Sequence, residues 1–168
     1  IRDQPRSRGL GDVYKRQVVD LVVVQLSTND SKGQCETGEV SASFDMDDFE
    51  LTTTVGALEA ITAYSKETWG APVLVITGTQ FEDEMTYSGG QNKDIYQLMI
   101  ERCHELDEKW GDEFSVLDLW HNDIMYENVV TGDTLWRSYM SDAIHPTKKG
   151  YLEWWGPYVE ERLFELLG

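Results

Sequence analysis

Three stretches of the chain are nearly unbroken in apolar residues: VVDLVVVQL at 18–26, PVLVIT at 72–77 and FSVLDLW at 114–120. Short runs rich in β-branched and aliphatic residues are the pattern of strands buried on both faces of a parallel sheet. Between them the period changes. In TTVGALEAITAYSKETWG, Val55, Leu58, Ile61 and Tyr64 recur at helical spacing, and Gly70 followed by Pro72 supplies a stop. From about Asn92 to Trp110, Ile95, Met99, Cys103 and Leu106 repeat that spacing, and Gly111 closes it. A third helix is expected after Pro146, carrying Tyr151, Trp154, Trp155, Tyr158 and Leu163, with Pro157 either kinking it or marking its first turn.

The order β, α, β, α, β, α predicts an α/β fold, a parallel sheet with helices on both faces joined by right-handed crossovers. Function in such a sheet concentrates in loops at the carboxyl ends of the strands. Polar, chemistry-bearing segments do follow each predicted strand: STND after the first, GTQFEDEMTYSGGQNKD after the second and HNDIMYEN after the third.

Composition narrows the class. With 168 residues, 40% of them hydrophobic, the chain has room for one domain with a real core. Its longest apolar run is too short to span a bilayer, and no charged-then-apolar leader opens the sequence. A net charge of −17 argues against nucleic acid or an anionic membrane as partner.

That charge is uneven. Residues 1–17 hold five of the 14 basic residues and two acids, while the remainder holds nine bases against 29 acids. The first 17 residues are therefore expected to be a foreign or disordered basic tail, and 18–168 the domain. Cys35 and Cys103 lack metal-site spacing; two free thiols are the default, with one disulfide open if the protein is exported.

Candidate chemistry comes from two segments. In SDAIHPTKKGY, Asp142 stands three residues ahead of His145, with Pro146 behind it. An Asp and a His in one loop can serve as orienting acid and general base of an acyl-transfer triad. In QLSTND, Asn29 can present a neutral amide donor to a developing oxyanion at the mouth of a cleft. Each segment alone also reads as ordinary turn and cap chemistry.

Together, STND after the first strand and DAIHP before the last helix resemble the SGNH, or GDSL-type, hydrolases. Their strand-ending block is G-x-N-D, here with Ser27 at the glycine position, and their C-terminal block is D-x-x-H-P, matched in full. The resemblance covers about residues 18–168. It implies a three-layer, flavodoxin-like fold and hydrolysis of carboxylic esters by a serine esterase or lipase mechanism. His145 would be the general base, Asp142 its partner and Asn29 the oxyanion donor. The implied substrate is a small ester, with acylated carbohydrate a candidate, and neither metal nor organic cofactor is implied.

One departure matters. The family's nucleophile lies in an N-terminal Gly-Asp-Ser block, but the nearest match here, Gly11 to Val13, ends in Val and follows no apolar strand. The expectation is a chain whose first β-α-β unit, with its serine, is missing, and which is inactive as it stands. Ser27 and Ser141 are minor alternatives as nucleophile. Two rival readings remain: a non-catalytic module that binds a glycan or protein, and a metal-dependent hydrolase built from Asp30, His121, Asp142 and His145, with Asp123 a further candidate ligand. His104 reads as part of a solvated helix face. Trp120, Tyr126 and Trp136 read either as a pocket lining or as packing.

Overall fold

The computed structural model describes residues 18–33, 35–80, 90–121, 138–142 and 144–168. Among the described residues, three parallel strands lie in the order in which they occur: β1 (Val22–Gln25), β2 (Val73–Ile76) and β3 (Phe114–Leu117). Val22 is level with Val73, and Val73 with Phe114, so the carboxyl ends of all three strands share one edge.

Two helices connect them, α1 (Thr54–Trp69) and α2 (Lys93–Trp110). The start of α1 is fixed by Thr53, whose side chain accepts from the Gly56 N–H, and its end by Gly70 in the left-handed region at φ +66°. A Cβ at Gly56 would lie 2.1 Å from the Glu50 carbonyl oxygen, so the close approach of α1 to the preceding turn requires glycine. Asn92 caps α2 through the Ile95 N–H.

A continuous helical rod, α3, covers residues 148–167: Lys148–Gly150, a wide π turn at Tyr151–Trp155, then Gly156–Leu167. Pro157 falls in the first turn of the Gly156–Leu167 piece, as one of the two expected placements, without ending the rod. The π turn, in which the Gly156 N–H reaches the Tyr151 carbonyl, absorbs the ring and the lost donor immediately ahead of the proline.

Alternation along the strands sorts the core into two clusters. Val73, Val75 and Phe114 pack with Val55 and Leu58 of α1 and with Tyr96, Met99, Cys103 and Leu106 of α2. Leu74, Ile76 and Leu119 pack with Trp154 and Trp155 of α3. The predicted arrangement of helices on both faces of a parallel sheet is what folds.

Two expectations change. The strands are shorter than the apolar runs, and β1 is not buried on both faces. Val18, ahead of β1, is 89% exposed and Val23 50%: β1 is one of the two edge strands among the described residues, and Val23 joins neither core cluster. Ile61 and Tyr64, placed by spacing on the core face of α1, are partly exposed, whereas Glu59 and Thr62 are buried. Both cysteines are free, Cys103 within the core. No described helix is long and apolar enough to cross a membrane. The basic segment 1–17, including Gly11 to Val13, lies outside the described residues.

Candidate active site

The carboxyl edge of the sheet is laced by side chains. Thr77, just past β2, accepts on Oγ1 from the backbone N–H groups of Leu119 and Trp120, at 2.8 and 3.2 Å, and so binds the loop after β3. Tyr96, fully buried on α2, does the same toward β1: its hydroxyl receives the Gly78 N–H at 2.7 Å and donates to the Leu26 carbonyl at 3.1 Å. Burial pushes the Tyr96 phenol well above its usual range, so it stays a neutral donor.

Onto this edge the first candidate segment is folded as a tight turn. Ser27 Oγ accepts the Asn29 N–H, and the buried Ser31 donates to the Thr28 carbonyl at 2.7 Å. Residues 30–32 form a 3-10 turn, and the start of α2 docks there through the Asn92 N–H on Ser31. The Asn29 side chain is exposed, and its carbonyl oxygen accepts from Gln91 Nε2 at 3.3 Å. That contact engages the carbonyl oxygen and leaves the Asn29 amide nitrogen unbonded among the described residues.

The second segment crosses the same edge. Met140 packs in the α3-side cluster and receives the Thr79 hydroxyl at 3.8 Å, while Ile144 packs in the α1/α2-side cluster with Leu26. Between them Asp142 organises the turn, its Oδ1 accepting the N–H groups of Ile144 and His145 at 2.9 and 2.8 Å. Its Oδ2 lies 2.8 Å from Nδ1 of His145. Partial burial raises the Asp142 carboxyl, but the N–H donors of Ile144 and His145 outweigh it and hold the group below the ordinary carboxylate range. Ser141 closes the loop by donating its hydroxyl to the His145 carbonyl at 2.8 Å.

The structure thus pairs Asp142 with His145 and sets Asn29 on the same edge of the sheet. No hydrogen bond among the described residues joins Asn29 to either of them. Ser27 and Ser141 hold turns, and neither hydroxyl contacts the His145 ring in the described bonds.

A second Asp-His cluster was not legible in the sequence. Asp118, at the end of β3, takes His104 Nε2 at 2.9 Å and His121 Nδ1 at 2.8 Å on the same oxygen. Burial raises its carboxyl, and the two histidines lower it further than burial raises it. His104 is therefore partnered rather than merely solvated. The signal was the lone acid in FSVLDLW, which the apolar run concealed.

Of the proposed metal ligands, His121 is engaged by Asp118, and Asp123 lies outside the described residues. No group of three or more His, Cys, Asp or Glu among the described residues is placed to hold a metal ion. Trp120 is buried against Tyr96 at a ring separation of 5.2 Å, which is packing; Tyr126 and Trp136 lie outside the described residues.

No known protein family matches the sequence, and no curated protein matches it either. Solved structures do share the fold. A crystal structure of a protein from Lactobacillus plantarum aligns with 96% of this chain and 74% of its own, at a TM-score of 0.54 and 18% identity. A second crystal structure aligns with 89% of this chain and 64% of its own, at a TM-score of 0.50 and 19% identity. Likeness at this identity speaks to the α/β fold alone.

Proposed function

We propose that this domain carries the base and oxyanion half of an SGNH-type serine esterase acting on small carboxylic esters. The observation that carries the reading is the pair formed by Asp142 Oδ2 and His145 Nδ1, 2.8 Å apart in an exposed loop on the carboxyl edge. With Nδ1 held by the carboxylate, Nε2 is the ring nitrogen left to move a proton.

In the reaction, a serine hydroxyl attacks the ester carbonyl as His145 Nε2 takes its proton. Collapse of the tetrahedral adduct breaks the C–O bond, and the same proton goes to the departing alcohol. Water then repeats the sequence on the acyl-enzyme. Asp142 fixes the tautomer and stabilises the imidazolium. The Asn29 amide donates to the oxyanion, a contact of a kind worth about 10²–10³ in kcat. The serine comes from a Gly-Asp-Ser block outside these 168 residues.

The test is hydrolysis of p-nitrophenyl acetate. The 168-residue chain is expected to be silent, and a chimera given a family-type β-α-β segment with Gly-Asp-Ser is expected to turn over. His145→Ala should abolish that turnover, and EDTA should leave it intact. Activity in the chain as it stands, lost in His145→Ala, would place the nucleophile among the residues present. Loss to EDTA with recovery on Zn would favour the metal-dependent reading. A folded but inactive chimera would favour a binding module.

A further inference from the structure

The backbone of Asn29 is fixed from both sides. Its N–H donates to Ser27 Oγ at 3.2 Å, and its carbonyl accepts the Lys32 N–H at 3.1 Å. The turn does not fix its side chain. Asn29 stands at the N-cap of the 3-10 turn Asp30–Lys32, where an Asn carboxamide ordinarily bonds back to the backbone, yet it makes no capping bond. An exposed carboxamide left to itself spreads over a broad, two-fold torsion and offers its oxygen as readily as its nitrogen.

Gln91 removes that freedom. Its Nε2 donates to Asn29 Oδ1 at 3.3 Å, across 62 residues of chain. An amide nitrogen can only donate, so it holds the oxygen of Asn29 and leaves the nitrogen for a ligand. Gln91 is itself anchored through its neighbour. The Asn92 N–H reaches both the carbonyl and the hydroxyl of Ser31, each at 3.2 Å, and the Asn92 side chain caps α2. The residue that meets Asn29 is thus fastened to the turn that carries Asn29.

The other end of Gln91 supplies an independent observation. Its Oε1 is buried with no hydrogen-bond partner among the described residues. A buried acceptor without a partner lowers stability, so folding alone favours an apolar side chain of that length. What the glutamine adds is the donor at its other end, and that donor goes to Asn29.

We propose that Gln91 is the positioning residue of the oxyanion site, holding the Asn29 carboxamide in the one orientation in which its nitrogen donates to the substrate. Gln91 touches no reacting atom and acts through Asn29. The inference rests on the esterase reading, because only there must Asn29 donate rather than accept. Gln91→Glu keeps the size but replaces the donor with a carboxylate, which draws the Asn29 nitrogen to itself. Gln91→Leu removes the bond and keeps the volume.

The first test follows the side-chain amide resonances of Asn29 in the 168-residue chain. In the parent their heteronuclear NOE should be close to that of the surrounding backbone, and Gln91→Leu should drop it to that of a free side chain. Gln91→Glu should move one Nδ2 proton downfield at pH 7, a shift lost below about pH 4 as the introduced carboxylate is protonated. Asn29 resonances unchanged in both variants overturn the proposal. The second test uses the active chimera. Gln91→Glu should lower kcat about tenfold or more with KM little changed, Gln91→Leu should lower it less, and neither should add to the loss in Asn29→Ala. Turnover unaffected by Gln91→Glu, or a loss that adds in full to that of Asn29→Ala, overturns the inference and leaves the esterase reading standing. A chimera silent with Gln91 intact overturns the esterase reading, and the inference with it.

Discussion

The Asp142 carboxylate holds His145 twice, taking its backbone N–H on Oδ1 at 2.8 Å and its ring Nδ1 on Oδ2 at 2.8 Å. One side chain thereby sets both the course of the loop and the orientation of the imidazole. Asp142→Asn should loosen both, since the amide offers one acceptor where the carboxylate offers two. The expected readout is a shift of the His145 ring resonances together with faster exchange of the Ile144 and His145 amides.

Stability should fall in acid through Asp118 and Asp142. Both carboxyls sit below their ordinary value of about 3.9, so their contribution is present above about pH 4 and is lost as pH drops through the depressed values. Asp118→Asn should lower the denaturation midpoint at pH 7, where His104 and His121 lose their shared acceptor. At pH 2 it should differ little from the parent. Equal losses at both pH values would mean that the histidine contacts contribute nothing through charge.

Tyr96→Phe should cost about 2–4 kcal/mol, because it strands the Gly78 N–H and the Leu26 carbonyl in the interior while leaving the ring packing intact. Urea denaturation measures it. A loss below about 0.5 kcal/mol would show that the hydroxyl is not what ties β1 to β2.

Lys109 reaches under α1 to Glu59, which is 1% exposed, and lies over the rings of Phe44, Phe49 and Trp110. Lys109→Met keeps most of the packing but leaves the buried Glu59 carboxylate without a counter-charge, with only the Ser41 N–H at 3.3 Å as partner, so a loss of about 3–5 kcal/mol is expected. Adding Glu59→Gln should recover much of it. A double variant no more stable than Lys109→Met would put the cost in packing instead.

The Cys103 thiol is pushed up to about 12 by burial, while Cys35 is partly exposed. A thiol reagent such as DTNB should therefore modify one cysteine in the folded protein and two after denaturation. Rapid native labelling of both would show that α2 opens easily.

The sequence by itself determined the α/β class, the order of strands and helices and the segments that follow the strands. Those features rest on local period and on stop signals such as Gly70 and Gly111, which act within a few residues. It also marked Asp142 and His145 as a pair, because a three-residue spacing in one turn suffices to bring their side chains together. What lay beyond it was set by contacts distant along the chain. Val23 reads as core by composition and is half exposed because it joins neither cluster of the core among the described residues. Glu59 reads as surface and is buried where Lys109, 50 residues on, meets it. His104 gained a partner only when β3 brought Asp118 beside α2, 14 residues away in sequence. Tyr96 became the tie between β1 and β2 for the same reason: 70 residues separate it from Leu26, and only the folded sheet sets its hydroxyl against that carbonyl.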